Sequence, residues 1–363
     1  MRIHLLDPGY IHPMGHHVEW DLRIAEELVK RGHGVHLFCN IQTTVEAGKA
    51  FEKYGSVNPV FQHDPYAIPG DEVHELSLFI DVAMVTEYIL CKLPPADLWL
   101  WPTMYASDLL ACALANPRIP ISALLHLEPA SKLPRGEVWW EYAFKKANRV
   151  DLDLNLCATT LELQQIYSKF KPKYPIKCAP IPQDGLLASE PKRQMQKIGI
   201  FGQQRGEKGA HLILTLIDKL LEEGFEVVFQ DSSGSVKIGE MPNLTKLGFV
   251  ENFAEEISKC DFVLLPYNPE DYRVRLSGVA AEALASGVPI AAPAGTPSER
   301  LVRETGAGTL FSEYTLESIL NAVHDAKVRY AELAEAAFRT SQTWASKHGY
   351  SNFVSNFLEG VHK

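Results

Sequence analysis

Short apolar runs alternate with longer segments of helical periodicity along most of the chain. Residues 2–6 (RIHLL), 34–38, 97–101, 121–125 and 150–156 read as strands, with a helix expected over 17–32. The rhythm resumes with 197–201 (KIGIF), a helix over 208–223, and strands at 226–230, 261–266 and 289–292. Strands that are apolar on both faces and separated by amphipathic helices indicate parallel sheets covered on each side. The helix over 208–223 has the clearest pattern, with Leu212, Ile213, Leu216, Ile217 and Leu220 in one stripe and Gly224 following as a C-terminal cap. Between the two series, residues 180–196 (PIPQDGLLASEPKRQMQ) lose periodicity and predict a linker. The expected fold class is α/β, with two tandem Rossmann-like doubly wound domains whose strand carboxyl ends face an interdomain cleft.

Length agrees with that division. The chain has 363 residues, whereas single cores stop growing at about 250–300 residues. A formal charge of −10 argues against nucleic acid as a partner, because that binding relies on clustered Lys and Arg. An anionic ligand therefore needs a local site. Cys39, Cys91, Cys112, Cys157, Cys178 and Cys260 are scattered without a C-x-x-C pair, which predicts thiols in a reducing compartment. MRIHLLDPGY has no signal core and no run reaches the ~18 apolar residues of a membrane span, so a cytoplasmic protein is expected.

Two stretches carry candidate chemistry. In YRVRLSGVAAEALASGVPIAAP, residues 272–293, Ser277 is placed to cap a short helix that ends at Gly287 before Pro289. Gly278, Ala280 and Ala281 leave the first amides of that helix open to close approach, which suits a phosphate. Glu282, one turn further on, leans back toward the same end and can accept hydrogen bonds from two ribose hydroxyls. The second stretch, IGIFGQQRGEKGAHL at 198–212, is a strand, a glycine-bearing loop with Arg205 and Lys208, and a helix. It is not a P-loop, since Gly202 and Gly206 enclose three residues and not four.

Together these stretches resemble the C-terminal domain of glycosyltransferase family 4, retaining hexosyltransferase-type enzymes of the GT-B fold that use nucleotide-sugar donors. The resemblance extends to MGHHVEWDLRIAEELVKRGHGVHLF as the family's N-terminal glycine loop and first helix, LLHLEP as its pocket histidine, and PIPQDG as its hinge. WASKHGYSNFVSNFLEG resembles the last helix, which crosses back onto the first domain. It implies an acceptor-side domain over 1–185, a donor-binding domain over 186–343, and a returning helix over 344–363.

By that resemblance Lys208 and Arg205 hold the donor diphosphate beside Gly202, with Arg275, Ser277 and the amides of Gly278 and Val279, and Glu282 binds the ribose. Phe249 and Val250 meet the nucleobase, Gly15 lets the N-terminal loop approach the diphosphate, and His126 contacts the sugar. His126, Lys208 and Glu282 are the implied catalytic set. The implied partners are a nucleotide-sugar donor and a saccharide or glycolipid acceptor, in bacterial polysaccharide or glycolipid assembly, with no cofactor and no metal.

Two positions depart from the family. Its E-x7-E motif has Val274, between Arg273 and Arg275, where the first Glu belongs, and its G-R-L reads Gly202-Gln203-Gln204. Tyr267, Asp271 and Tyr272 are candidates for the sugar contacts, or else belong to a solvated loop. A sugar-nucleotide 2-epimerase-like enzyme and a non-catalytic nucleotide-binding paralogue stay open as alternatives.

His12, His16 and His17 crowd one loop without a carboxylate at ligand spacing, and Asp151 and Asp153 fall inside a strand pattern, so neither group is assigned a metal. EVWWEYAFKK and SKFKPKYPIK set aromatics beside lysines. Core burial of those rings and peripheral contact with the inner face of a membrane are both compatible with this arrangement.

Overall fold

The computed structural model describes residues 1–13, 16–65, 75–130, 135–202, 204, 206–232, 234–250 and 252–359. The chain divides into two compact units, one of residues 1–180 with 353–363 and one of 181–352.

The first unit runs β1 (Arg2–Asp7), α1 (His16–Lys30), β2 (Gly34–Asn40), α2 (Val45–Glu52), β3 (Gly55–Phe61), α3 (Glu75–Leu90), β4 (Leu98–Trp101), α4 (Ala106–Ala115), β5 (Ile121–Leu125), α5 (Gly136–Val150), β6 (Leu154–Ala158), α6 (Leu161–Ser168) and β7 (Lys177–Cys178). Its described strands form one parallel sheet in the order β3-β2-β1-β4-β5-β6-β7. Every residue of β4 and β5 is buried, because helices cover both faces there.

The second unit runs β8 (Lys197–Ile200), α7 (Ala210–Glu222), β9 (Glu226–Gln230), β10 (Leu244–Leu247), α8 (Phe253–Ser258), β11 (Phe262–Leu264), α9 (Gly278–Ala285), β12 (Ile290–Pro293), α10 (Pro297–Thr305), β13 (Gly308–Phe311), α11 (Leu316–Val328) and α12 (Tyr330–His348). The order β10-β9-β8-β11-β12-β13 is again parallel. Alternate strand positions feed two cores. Val227, Phe229, Phe262 and Leu264 pack with the α7 stripe of Ile213, Leu216, Ile217 and Leu220. Val228, Val263 and Ile290 pack with Val279, Ala280, Ala283 and Leu284 of α9 and with Trp344 of α12. The period-two alternation of a strand thus serves both faces of one sheet. Ile217 is fully buried in this stripe, and Ile217→Ala is expected to destabilise the second unit by about 2–5 kcal/mol in urea unfolding.

A last helix, α13 (Tyr350–Leu358), ends in the first unit, where the Asn155 Nδ2 amide donates to the Asn356 carbonyl at 2.9 Å and the Ser122 hydroxyl to the Phe357 carbonyl at 2.6 Å. Residues 179–196 carry no helix or strand and are tied to the second unit, where the Leu186 amide donates to Ser286 Oγ at 3.1 Å and the Gln183 amide to the His348 carbonyl at 3.1 Å.

Two sequence expectations shift. The expected strand at 150–156 begins at Leu154, because α5 continues to Val150 and ends on Asp151 in the left-handed conformation, φ 58°. Asp151 is therefore a helix cap, and Asp153 precedes the strand. The helix expected to start at 208 starts at Ala210, after a 3₁₀ turn over Gly206–Lys208 and Gly209 at φ 80°. A β-carbon on Gly209 would strike the Pro266 carbonyl, so the close approach requires glycine.

Among the described residues no helix is long and apolar enough to cross a membrane. Trp140 and Phe144 of α5 are buried and Trp139 is half-buried, while Tyr142 is 45% exposed. All six cysteines are free, four of them buried, and burial pushes the Cys39 thiol up to about 11.

Candidate functional site

In the second unit the strand order turns about β8 and β11, and in open parallel sheets the loops leaving the carboxyl ends of two such strands diverge where ligands bind. The two stretches singled out in the sequence are those loops. Gly202, just past β8, has φ 103°, and a β-carbon added there would lie 2.5 Å from Lys208 Nζ and 3.8 Å from Val279 Cγ2. Gly202, Lys208 and the first turn of α9 are thus brought together. Ser277 caps α9 by accepting from the Ala280 amide at 3.3 Å, which leaves the helix start carrying its partial positive charge beside the ammonium.

The ammonium stands on an aromatic base. Lys208 Nζ lies 5.4 Å from the Tyr267 ring centre, within cation–π range. Tyr267 stacks on Tyr272 at 4.3 Å and receives a hydrogen bond from the Ser277 hydroxyl at 3.3 Å. Both tyrosines are buried, and burial pushes the Tyr267 hydroxyl well above its usual range. The loop is therefore packed at its tyrosines and solvated at Asp271, which corrects the choice posed by the sequence between a sugar-contacting loop and a wholly solvated one. Arg275 lies over the Tyr272 ring at 4.9 Å and donates to the Asp271 carbonyl at 3.2 and 3.1 Å. Val274, at the departure from the family motif, is buried.

Glu282, on the second turn of α9, is only 7% exposed, so it is not the solvated carboxylate of an ordinary surface helix. Phe249 and Val250 follow the end of β10, Phe249 being 60% exposed and Val250 half-buried. A cavity of about 580 Å³ opens beside them, with Phe229, Asp231, Lys246 and Gly248 in its wall. Gly15, Gln203 and Arg205 lie outside the described residues.

Sequence reasoning missed the residues that hold this arrangement. The Gly202 amide donates to Gln230 Oε1 at 2.5 Å, and Gln230 Nε2 donates to the Gly248 carbonyl at 3.0 Å. Gln204 Nε2 donates to the Gly202 and Gln230 carbonyls, each at 2.9 Å. One side chain at the end of β9 thus links the glycine loop to the loop that carries Phe249. Its signal was present in EVVFQ, where an apolar strand ends on an amide.

In the first unit the corresponding reversal is at β1 and β4. His17, on the first turn of α1, pairs through Nδ1 with Asp7 at the end of β1, at 2.7 and 2.9 Å. Asp7 also accepts from the Gly9 amide at 2.8 Å, and a β-carbon on Gly9 would collide with the His17 ring. Asp21, one turn along α1, is fully buried; burial, then the charge of Asp7 and a hydrogen bond to it, push its carboxyl well above the usual range. His17 is therefore locked in a buried carboxylate pair, which the loop reading of the three histidines did not foresee. His126 follows β5, half-buried, with the Trp20 ring of α1 edge-on at 5.6 Å. Among the described residues no group of three His, Cys, Asp or Glu side chains is arranged to hold a metal ion.

Asp108, on the first turn of α4, accepts from the Tyr105 amide at 2.9 Å and has His63 Nε2 4.0 Å away. Burial raises the Asp108 carboxyl to about 7 and lowers His63 to about 4. An unfolded aspartate titrates near ~4, so between these values the native chain holds the extra proton. The resulting stabilisation is fully present below about pH 4 and lost as pH rises to about 7. Asp108→Asn, which keeps shape and neutrality, is expected to remove on the order of 3 kcal/mol of that pH dependence. Urea unfolding of both chains at pH 5 and pH 8 checks this: the gap between them should appear at pH 8.

No protein-family model matches the sequence, and no curated protein does. Solved structures match over nearly their whole length. Anabaena Alr3699/HepE in complex with UDP-glucose is 17% identical, with TM-score 0.66, over 99% of this chain and 98% of that one. The fold is that of the GT-B glycosyltransferases. Sucrose-phosphate synthase from Thermosynechococcus elongatus is 12% identical with TM-score 0.68, covering 98% of this chain and 96% of its own. A glycosyltransferase from Rickettsia africae is 10% identical with TM-score 0.72, covering 99% and 97%. At these identities the likeness is one of fold. It agrees with the two parallel sheets and leaves the roles of individual residues to their own geometry.

Proposed function

We propose that the protein is a glycosyltransferase that moves a sugar from a nucleoside-diphosphate donor to a hydroxyl acceptor with retention of anomeric configuration. The observation that carries this reading is the meeting of Lys208, Gly202 and the capped start of α9 at the reversal point of the second sheet. An ammonium, a glycine that admits close approach and a set of free helix amides suit a diphosphate. The charge that develops on a departing diphosphate is what such preorganised donors stabilise. The GT-B fold and a solved relative in complex with UDP-glucose support the choice of a nucleotide sugar.

In this reading Lys208 and the amides of Gly278 and Val279 hold the diphosphate, with Arg205 and Arg275 as further cations. Glu282 takes two ribose hydroxyls, which suits a carboxylate so nearly buried. Phe249 and Val250 meet the base. As the glycosidic bond breaks, the bond pair passes to the diphosphate oxygen; the acceptor oxygen bonds to the anomeric carbon on the same face, and its proton leaves with the diphosphate.

The test is incubation of the purified protein with UDP-, GDP-, ADP- and TDP-sugars and a panel of hydroxyl acceptors, with proton NMR of the product. Release of nucleoside diphosphate with an unchanged anomeric coupling is expected. An inverted product would overturn the retaining mechanism, and an epimerised donor without transfer would overturn the transferase.

A further inference from the structure

The first unit contains a cavity that none of the donor chemistry uses. It lies beyond the carboxyl ends of β4 and β5, with a volume of about 240 Å³ and walls from Phe79, Val82, Met104, Trp139, Trp140 and Tyr167. Apolar cavities of about 150 Å³ stay dry and take up benzene, so this one has room for a larger ring system.

Its walls are held apart. The Trp139 indole donates to Glu75 Oε1 at 2.5 Å, and Tyr167 donates its hydroxyl to the Leu127 carbonyl at 2.7 Å. Phe79 stacks on Trp139 at 4.9 Å and 23°, while Trp140 meets Tyr167 edge-on at 4.9 Å and 80°. Rings fixed by hydrogen bonds and by each other cannot collapse into the space, and flat faces with exposed edges match a flat aromatic guest.

Polar residues interrupt the apolar wall, His63, Asp64, Ser107 and Glu128 among them. His63 lines the cavity, and its buried Nδ1 has no hydrogen-bond partner among the described residues. A buried nitrogen without a partner costs free energy unless a guest supplies one.

We propose that this cavity seats a planar aromatic hydroxy compound, its rings among Trp139, Trp140, Phe79 and Tyr167 and its hydroxyl on His63. Resting on the transferase reading above, the guest is the acceptor or the aromatic part of it.

The test is titration of the whole chain with 2-naphthol, following tryptophan fluorescence, with 1-decanol as a more apolar probe lacking rings. Saturable quenching by 2-naphthol is expected, at least ~10-fold tighter than any effect of 1-decanol. Val82→Phe, which fills the cavity from α3, should weaken 2-naphthol by at least ~10-fold while retaining the melting curve. Absence of saturable quenching, an equal or tighter response to 1-decanol, or unchanged binding by a folded Val82→Phe would each overturn the seat. If Val82→Phe does not fold, the comparison of probes on the unaltered chain decides. Calorimetry with UDP, GDP, ADP and TDP on the same samples separates the two readings. Diphosphate binding without 2-naphthol overturns the seat alone, whereas 2-naphthol binding without any diphosphate supports the seat and overturns the transferase reading.

Discussion

Lys208→Ala is expected to lower turnover by about 10²–10³-fold with every donor the protein accepts. The ammonium has a fixed seat, over Tyr267 and against Gly202, so its charge is already in place when negative charge builds on the leaving group. A lysine that only bound the ground-state diphosphate would raise KM and leave kcat unchanged. Steady-state kinetics on Lys208→Ala distinguish these: the fall should lie mainly in kcat, and an unchanged kcat would remove Lys208 from the catalytic set. Lys208→Arg, which keeps the charge but spreads it over a planar group, should recover only part of the loss.

The second large effect is expected from Gly202→Val. At φ 103° a β-branched residue is strained, and the added carbon would displace Lys208 Nζ from its position 2.5 Å away. The Gly202 amide would also be pulled from Gln230, disturbing the link to Gly248. Diphosphate affinity should fall by about 10²-fold or more, read by calorimetry, since both the cation and the loop leave their positions. Unfolding of the first unit should be unaffected, because Gly202 belongs to the second. Retention of wild-type affinity by a folded Gly202→Val would mean that the diphosphate does not bind against this loop.

The chain showed its architecture early because parallel sheets write it locally. A strand buried on both faces needs apolar residues at every position, and EVVFQ and ISALL have them almost without interruption. Boundaries were less legible where a helix ran on into a strand pattern: Val150 closes α5, and only the left-handed turn at Asp151 separates it from β6. A sequence window has no means of seeing that turn, since Asp is a residue type tolerated in either conformation.

The proposed site was legible where the candidate chemistry is local. Ser277, Gly278 and Glu282 fall within one capped helix, and Gly202 and Lys208 within one loop. What ties the glycine loop to the loop that carries Phe249 is long-range: Gln230 reaches Gly202 across 28 residues and Gly248 across 18. No spacing rule connects those three positions. The Asp7 and His17 pair escaped notice for the same reason, since a strand end and a helix start meet only once the sheet has formed. Tyr267 and Tyr272, offered by the sequence as sugar contacts or else as part of a solvated loop, are stacked on each other, with Lys208 over the Tyr267 ring.

The central claim is that the second unit binds a nucleoside diphosphate at Lys208 and the start of α9. The measurement that tests it most directly is thermal unfolding of the purified protein in the presence of UDP, GDP, ADP and TDP. A ligand that binds only the folded state at 100 times its Kd adds about 2.7 kcal/mol, which shifts the midpoint by several degrees in a unit of this size. One diphosphate should raise the midpoint by that much, and Lys208→Ala should abolish the shift. A midpoint unmoved by all four, or one that Lys208→Ala leaves shifted, would contradict the account.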